Sequence, residues 1–196
     1  MDQTAITAAF APDGLHGVSA ADVAKRAGIA KPTLYAHGRS KDAVFAACVE
    51  FEVERLVARL HAADIRTTGQ PLHQRAAALA LALLDHAARR PEAFRLLHLT
   101  AAHRGSTVAD AVDRALGRVP DRIAVALGRD LPVERADAAQ LAAAARALQG
   151  AAAGIASGPV ADRTAVATML GRAVAAALRP PAPEPYAPAH IELGVY

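Results

Sequence analysis

Long alanine-rich segments separated by glycine and proline dominate this chain of 196 residues. Alanine makes up about a quarter of the sequence, aromatic residues are few, and tryptophan is missing. Because alanine has the highest helix propensity, this composition favours helices over sheets. Proline and glycine stop helices and stand at most boundaries between the segments, so the sequence predicts an all-α fold. The helices are expected at about residues 5–11, 20–27, 31–37, 41–63, 72–89, 91–103, 108–128, 133–153 and 161–178.

Positive charge is concentrated in one N-terminal segment. The three lysines of the chain are Lys25, Lys31 and Lys41, and together with Arg26 and Arg39 they lie in a stretch without Asp or Glu. These five charges exceed the net charge of +3 for the whole chain, so the remainder is slightly acidic. An isolated basic segment is typical of a nucleic-acid-binding element. A solvated basic face without a ligand is the alternative.

The cysteine content and the apolar stretches bear on the compartment. Cys48 is the only cysteine, so an internal disulfide is impossible, and the first ten residues lack the basic and apolar regions of a signal peptide. The most apolar stretch, residues 141–157, is interrupted by Arg146 and Gln149 and is too short to span a bilayer. We therefore expect a cytoplasmic protein without a membrane span.

Residues 19–37 have the pattern of a helix-turn-helix. Ser19 can cap a first helix that Gly28 ends, and Pro32 suits the first turn of a second short helix starting at Lys31. In this motif the second helix enters the major groove while the first contacts the backbone. Val23 and Leu34 are expected in the core.

The segment closely resembles the DNA-binding domain of the tetracycline-repressor (TetR) family. The resemblance covers about residues 8–46 and is carried by Gly14, Gly17, Ser19, Val23-Ala24, Ala27-Gly28-Ile29, Thr33-Leu34-Tyr35 and Ser40-Lys41-Asp42-Ala43-Val44-Phe45. It implies a three-helix DNA-binding domain at residues 1–46, joined by a long helix to a helical effector-binding and dimerisation domain at 47–179. A Pro-rich tail follows at 180–196. The function implied is a ligand-responsive regulator, most simply a repressor, that binds a pseudo-palindromic operator of double-stranded DNA as a dimer.

The resemblance also implies roles for individual residues in DNA binding. The groove-facing positions are Lys31, Pro32, Thr33, Ala36 and His37. Among them, Lys31 can reach guanine acceptors, and Pro32 or Ala36 can touch a thymine methyl. The hydroxyls of Thr33 and Tyr35, and the ammonium of Lys41 at a helix N-terminus, suit phosphate oxygens.

Three features depart from the family pattern. The first helix is short. Residue 30 is Ala rather than a capping Ser, which should cost the recognition helix about 1 kcal/mol. Residue 38 is Gly where the family usually has an aromatic side chain, so a core anchor is expected to be missing behind that helix.

The last two predicted helices are apolar on more than one side. Their apolar residues largely follow steps of four and three. Such helices are usually buried on both faces, and here the second face is most economically covered by another subunit. We therefore expect a homodimer. Its interface is predicted to include Leu141, Ala145, Leu148, Ala152, Val166, Leu170 and Val174.

A small-molecule effector is implied by the resemblance, bound among the helices of roughly residues 72–128 and able to shift the long fourth helix. The candidate lining consists of apolar or amphipathic positions near helix breakers and of polar groups that could orient a ligand. These residues are Phe94, Arg95, Leu97, His98, His103, Val112, Leu116 and Gln149. Ordinary core packing is the alternative for each of them. His86 is expected to be partly exposed rather than to contact a ligand.

Two other classes of protein are alternatives. An enzyme is disfavoured because the sequence has no Gly-rich phosphate loop and no metal-binding spacing, and because Cys48 lies in an apolar pattern without an adjacent base. We expect no cofactor and no metal. The other alternative is a helical ligand-binding or protein-interaction module with a weakened DNA-binding end, which the departures at residues 30 and 38 motivate.

Overall fold

The computed structural model describes residues 3–98, 105–129, 131 and 137–179. Within these ranges the chain forms nine α-helices and no strand, which confirms the all-α prediction. The helices are α1 (Gln3–Phe10), α2 (Ala20–Arg26), α3 (Lys31–Tyr35), α4 (Lys41–Arg66), α5 (Leu72–Arg89), α6 (Pro91–His98), α7 (Ala109–Gly128), α8 (Ala138–Ala156) and α9 (Arg163–Ala177). The predicted Pro-rich tail lies outside the described residues.

Side-chain caps determine where several of these helices begin. The hydroxyl oxygens of Ser19 and Ser40 accept hydrogen bonds from the backbone N–H groups of Asp22 and Ala43, both at 3.1 Å, which confirms the two predicted caps. The carboxylate of Asp137 accepts from the N–H of Ala139 at 2.9 Å. For this reason α8 begins at Ala138, five residues later than residue 133, where the sequence predicted it.

A small helical core holds the N-terminal helices against the start of α4. Ile6, Phe10, Leu15 and Phe45 are almost fully buried, and the rings of Phe10 and Phe45 pack edge to face with their centroids 5.3 Å apart. From here a continuous core runs through α4 and α5 to Val174 in α9. The predicted boundary at residue 46 therefore falls inside a continuous helix and a continuous core.

Two buried acidic residues on α4 hold this long helix to its neighbours. Glu52 is fully buried and accepts hydrogen bonds from Nε and Nη2 of Arg90, at 3.0 and 2.5 Å, at the junction of α5 and α6. Asp64, also fully buried, pairs with Arg122 of α7 and with Arg129 just beyond it. Because such paired buried charges tolerate little displacement, α4 is fastened to the C-terminal helices at two separate points.

The crossing of α5 and α9 depends on a glycine. A side-chain carbon at Gly171 would lie 2.3 Å from the backbone oxygen of His73 and 2.6 Å from the backbone nitrogen of Ala77. The two helices can therefore approach this closely only because residue 171 has no side chain. None of the helices, in the ranges described, is long and apolar enough to cross a membrane.

Candidate DNA-binding surface and ligand site

The turn between α2 and α3 is built on Gly28. This residue has a positive φ of 66°, and the N–H of Ile29 bonds back to the carbonyl oxygen of Ala24 at 3.0 Å. Val23 and Leu34 are both fully buried, as the sequence predicted, and they fix the two helices against the core beneath them. At the start of α2 the hydroxyl of Ser19 donates to the Asp22 carboxylate at 2.6 Å, which lowers the pKa of that carboxyl.

The outer face of α3 carries most of the residues predicted to contact DNA. Lys31, Pro32, Tyr35 and Ala36 are exposed. Thr33 and His37 are half-buried at the edges of this face. Ala30 makes no side-chain cap, so the start of the helix lacks the hydrogen bond that Ser would supply. The arrangement presents a short helix with one buried anchor, Leu34, and a surface free to enter a groove.

Lys41 has contacts that the sequence did not predict. Its ammonium donates to the backbone oxygens of Leu15 at 2.7 Å and Val18 at 2.9 Å, and so fastens the start of α4 to the loop between α1 and α2. Arg26 is likewise held, by the carbonyl oxygen of Ala9 at 3.2 Å and the Asp13 carboxylate at 2.6 Å. The phosphate contact predicted for Lys41 stays a prediction, and the structure adds a second role for its charge.

Gly38 stands where α3 closes onto α4. A side-chain carbon there would lie 2.8 Å from the backbone nitrogen of Val44 and 2.9 Å from the carbonyl carbon of Ala43. The missing core anchor at this position stays a prediction. The backbone of Ala43 and Val44 takes the space that a side-chain carbon would need, so the glycine also permits a close approach.

Some of the candidate ligand residues come together around a small cavity in the C-terminal part. Its walls are formed by Leu56, Leu83, His86, Phe94, His98, Gln149, Ala152 and Ala153 from α4, α5, α6 and α8. Three of these, Phe94, His98 and Gln149, were predicted. The cavity has room for water centres of about 10 Å³, which admits roughly one water molecule.

The other predicted ligand residues lie elsewhere. Leu97 and Val112 are buried in the general core, Leu116 is half-buried, and Arg95 is exposed. His103 lies outside the described residues. For Leu97 and Val112 the alternative of ordinary core packing fits the structure better.

The environment of His86 in this cavity wall differs from the one that the sequence predicted. It was expected to be partly exposed, yet its side chain is only 1% exposed, and among the described residues neither ring nitrogen has a hydrogen-bond partner. Burial lowers the pKa of this imidazole to about 4, and the nearby positive charges of Arg59 and Arg90 add to the effect. His86 is therefore a neutral, unpartnered polar group in an apolar wall. Its place on the inner face of α5, among alanine and leucine, was the available signal.

An apolar groove runs along the surface between α8 and α9. It is lined only by apolar side chains: Ala144, Ala147, Leu148, Ala151, Leu170, Ala173, Val174 and Ala177. Leu148, Leu170 and Val174 belong both to this groove and to the predicted dimer interface. Leu141, Ala145 and Ala152 do not line the groove and are buried within the protomer, and Val166 is half-buried. The dimer interface stays a prediction, and part of the predicted seam packs inside one chain.

Cys48 is not placed for chemistry. The side chain is fully buried on α4, and burial raises the pKa of its thiol to about 12. Because the thiolate is the reactive form, this cysteine is inert at neutral pH.

Comparison with known proteins identifies the N-terminal part. Residues 4–48 match the model of the tetR family of bacterial regulatory proteins, and these residues span α1 to the first turns of α4. No curated protein matches the chain.

Solved structures extend the likeness to the whole fold. The fatty acid degradation regulator FadR of Bacillus halodurans is 16% identical, with a TM-score of 0.70 over 91% of this chain and 99% of that one. A TetR-like transcriptional regulator from Rhodococcus sp. RHA1 is 24% identical, with a TM-score of 0.65 over 88% and 91%. FadR of Bacillus subtilis, solved in complex with stearoyl-CoA, is 13% identical, with a TM-score of 0.68 over 89% and 97%.

The helix-turn-helix geometry, the match of residues 4–48 and the fold of the remaining helices agree. Residues 4–48 of this chain are thus similar to the tetR family of bacterial regulatory proteins, and the described helices share the fold of a TetR-like transcriptional regulator.

Proposed function

We propose that the protein is a transcriptional repressor that binds a pseudo-palindromic operator as a homodimer and releases it when a small molecule binds. The observation that supports this most directly is the outer face of α3. There Lys31, Pro32, Tyr35 and Ala36 are exposed while Leu34 anchors the helix from beneath. An exposed short helix of this kind suits the major groove, where Lys31 can bond to guanine and Ala36 can touch a thymine methyl.

The groove between α8 and α9 supports the proposed dimerisation. Its lining offers no polar group that would favour exposure to water, and an apolar surface of this kind is usually covered by a partner. We propose that a second copy of the chain covers it, α8 and α9 of each protomer packing against those of the other. A two-fold axis then places the α3 helix of each protomer on its own half-site, so the operator must be an inverted repeat.

Ligand response requires a connection between the cavity and α3, and α4 provides it. One end of α4 is tied by Lys41 to the loop before α2, and the next turns carry Glu52, paired with Arg90. Leu56, one turn further, is part of the cavity wall. A molecule that enlarges the cavity would push on α4 and change the distance between the two α3 helices. Release occurs when the ligand prefers the conformation that does not bind DNA.

The effector is proposed to be a molecule with an apolar body and a polar head. The cavity walls are mostly apolar, and three polar side chains, one each from α5, α6 and α8, complete the lining. Bacillus subtilis FadR, which has the same fold, was solved with stearoyl-CoA, a molecule of this general character.

The test is binding to DNA from the region upstream of the protein's own gene, measured by fluorescence anisotropy at several salt concentrations. We expect tight binding that weakens steeply as salt rises, because Lys and Arg contacts release counterions from phosphates. Lys31→Ala should weaken binding to the operator by about tenfold or more, as expected for loss of a base contact. Arg114→Ala, which removes an exposed charge on α7, is the control and should bind like the unchanged protein.

A second candidate function has one observation in its favour. The side chains of Lys41 and Arg26 bind to groups of the protein itself, and Ala30 leaves the start of α3 without a side-chain cap. Fewer positive groups are therefore available to DNA than the charge of this segment suggests. These features fit a ligand-binding or interaction module with a weakened DNA-binding end. Operator binding that is no tighter than binding to unrelated DNA at the same salt would favour this second function.

A further inference from the structure

The side chain of His86 forms an unsatisfied hydrogen-bonding site inside the molecule. In the described part of the chain neither ring nitrogen has a partner, although the residue is only 1% exposed. A buried polar group without a partner destabilises the folded protein, so its presence calls for an explanation. His98, on the same cavity wall, differs, because its Nδ1 lies 2.8 Å from the backbone oxygen of Phe94. Among the described residues of this cavity wall, His86 is thus the one with fully buried polar atoms that have no partner.

The polarity of the other cavity walls indicates which ligand would fit beside His86. Leu56, Leu83, Phe94 and the methyl groups of Ala152 and Ala153 present apolar surface. Gln149 adds an amide, which can donate as well as accept, on the opposite helix α8. A ligand that packs against the apolar side chains and bonds to the polar ones has an apolar body and a compact polar end next to His86.

The charges near the imidazole indicate the sign of that polar end. Arg59 and Arg55 approach from α4, Arg90 from the end of α5 and His98 from α6, and each of them acts against a proton on His86. Arg90 is paired with Glu52, and the guanidinium of Arg55 lies over the ring of Phe51, 5.3 Å from its centroid. Because three of these four neighbours are arginines, an anionic acceptor is favoured beside the imidazole N–H.

We infer that the cavity between α4, α5, α6 and α8 is the effector site, and that its ligand is an apolar carboxylic acid whose carboxylate accepts a hydrogen bond from His86. This inference rests on the ligand response proposed above and names its chemistry. The Phe94 and His98 rings, whose centroids are 4.1 Å apart, form the α6 side of the cavity. Since the present space admits roughly one water, entry of the acid displaces this pair and moves α6.

The test uses three probes with the same eight-carbon chain and different heads: octanoate, 1-octanol and octylammonium. Binding to the full chain is measured by calorimetry at pH 7, with chain length and apolar area held constant. We expect octanoate to bind about tenfold or more tightly than 1-octanol, because a hydrogen bond to a charged group is stronger than one to a neutral group. Octylammonium should bind most weakly.

Two variants separate the role of His86 from general effects. His86→Leu keeps a side chain of similar volume and should weaken octanoate about tenfold while changing 1-octanol little. His73→Leu, an exposed position on the same helix, is the matched control and should leave all three affinities unchanged. Imidazole NMR signals of His86 should shift when octanoate is added, which a purely structural histidine would not show.

Equal affinities for octanoate and octylammonium, no binding of octanoate, or unchanged octanoate binding by His86→Leu would each overturn the inference. Operator binding without any ligand is measured in parallel. If the protein binds its operator but octanoate fails these tests, the ligand assignment is wrong while the regulator function stands. If operator binding is absent but octanoate depends on His86, the ligand assignment stands and the repressor function fails.

Discussion

Replacing Gly171 by alanine should separate α5 from α9, although the change adds only one methyl group. The new carbon would lie 2.3 Å from the backbone oxygen of His73, 2.6 Å from the nitrogen of Ala77 and 2.8 Å from the side chain of Ala77. Ordinary van der Waals contact begins near 3.4 Å, so the helices must move apart by about 1 Å. The obstacle is mainly backbone, which cannot rotate away, and overpacking of this kind costs about 1–3 kcal/mol.

The control for this prediction is another helical glycine. Gly117 in α7 has nothing within 4 Å of the position that a side-chain carbon would take, so Gly117→Ala should stabilise the protein by about 0.5–1 kcal/mol through helix propensity. In thermal unfolding at one fixed protein concentration, Gly171→Ala should lower Tm by about 3–10 °C and Gly117→Ala should raise it slightly. A Tm for Gly171→Ala equal to or above that of the unchanged protein would refute the argument that the crossing requires a glycine.

Three further predictions concern charge. The pKa of His86 is about 4 in the folded protein and near 6.5 in the unfolded protein, so between these pH values the unfolded state binds more protons. When the pH is lowered from 7 to 5, the free energy of unfolding, measured in urea, should therefore fall by about 2 kcal/mol more in the unchanged protein than in His86→Leu. Equal decreases in the two proteins would contradict the assigned pKa. Asp64→Ala should destabilise by about 1–3 kcal/mol in the same assay, because it removes the buried partner of Arg122 and of the more exposed Arg129. Glu50→Ala, which breaks the exposed pair with Arg118, should cost under about 1 kcal/mol. Equal costs for the two variants would contradict a larger contribution from the buried carboxylate. Ala151→Glu puts a charge into the apolar groove between α8 and α9 and should weaken self-association, measured by sedimentation, roughly a hundredfold. Ala58→Glu, on the exposed side of α4, is the control and should leave self-association unchanged. Unchanged self-association of Ala151→Glu would place the interface elsewhere.

Local signals in the sequence were sufficient for the fold class and for the helix-turn-helix geometry at the N-terminus. Ser19 and Ser40 cap helices through contacts only three residues away, and Gly28 ends α2 through its own backbone conformation. The apolar positions Val23 and Leu34 follow from helical periodicity alone. Features of this kind depend on neighbours in the chain, and the sequence displays those neighbours directly.

Contacts between distant segments could not be predicted in the same way. The partners of Lys41 are backbone oxygens 23 and 26 residues earlier, and backbone atoms leave no mark in the sequence. The close approach at Gly38 is likewise a meeting of two backbones, so the glycine resembled a lost side chain. His86 was misjudged because histidine is often exposed, and only the packing of α4, α6 and α8 around α5 shows that it is enclosed.

The predicted dimer seam shows a third kind of limit. Alternating steps of four and three along α8 identify apolar residues, but they do not tell which of them face the protomer's own core. Ala145 and Ala152 pack inward, whereas the exposed Ala147 and Ala151 line the groove beside Leu148. Because α8 is apolar on both sides, pattern alone cannot divide the two faces.

Recognition of an operator with two-fold symmetry by α3 is tested most directly by selecting binding sequences from a random DNA library. The unchanged protein should enrich an inverted repeat whose half-sites lie about one helical turn apart, roughly 10 base pairs centre to centre, or a multiple of it. Lys31→Ala should enrich the same repeat with relaxed preference at one position of each half-site, while Arg114→Ala should enrich the same sequence as the unchanged protein. Recovery of no common sequence, or of one without inverted symmetry, would show that α3 does not read a two-fold operator.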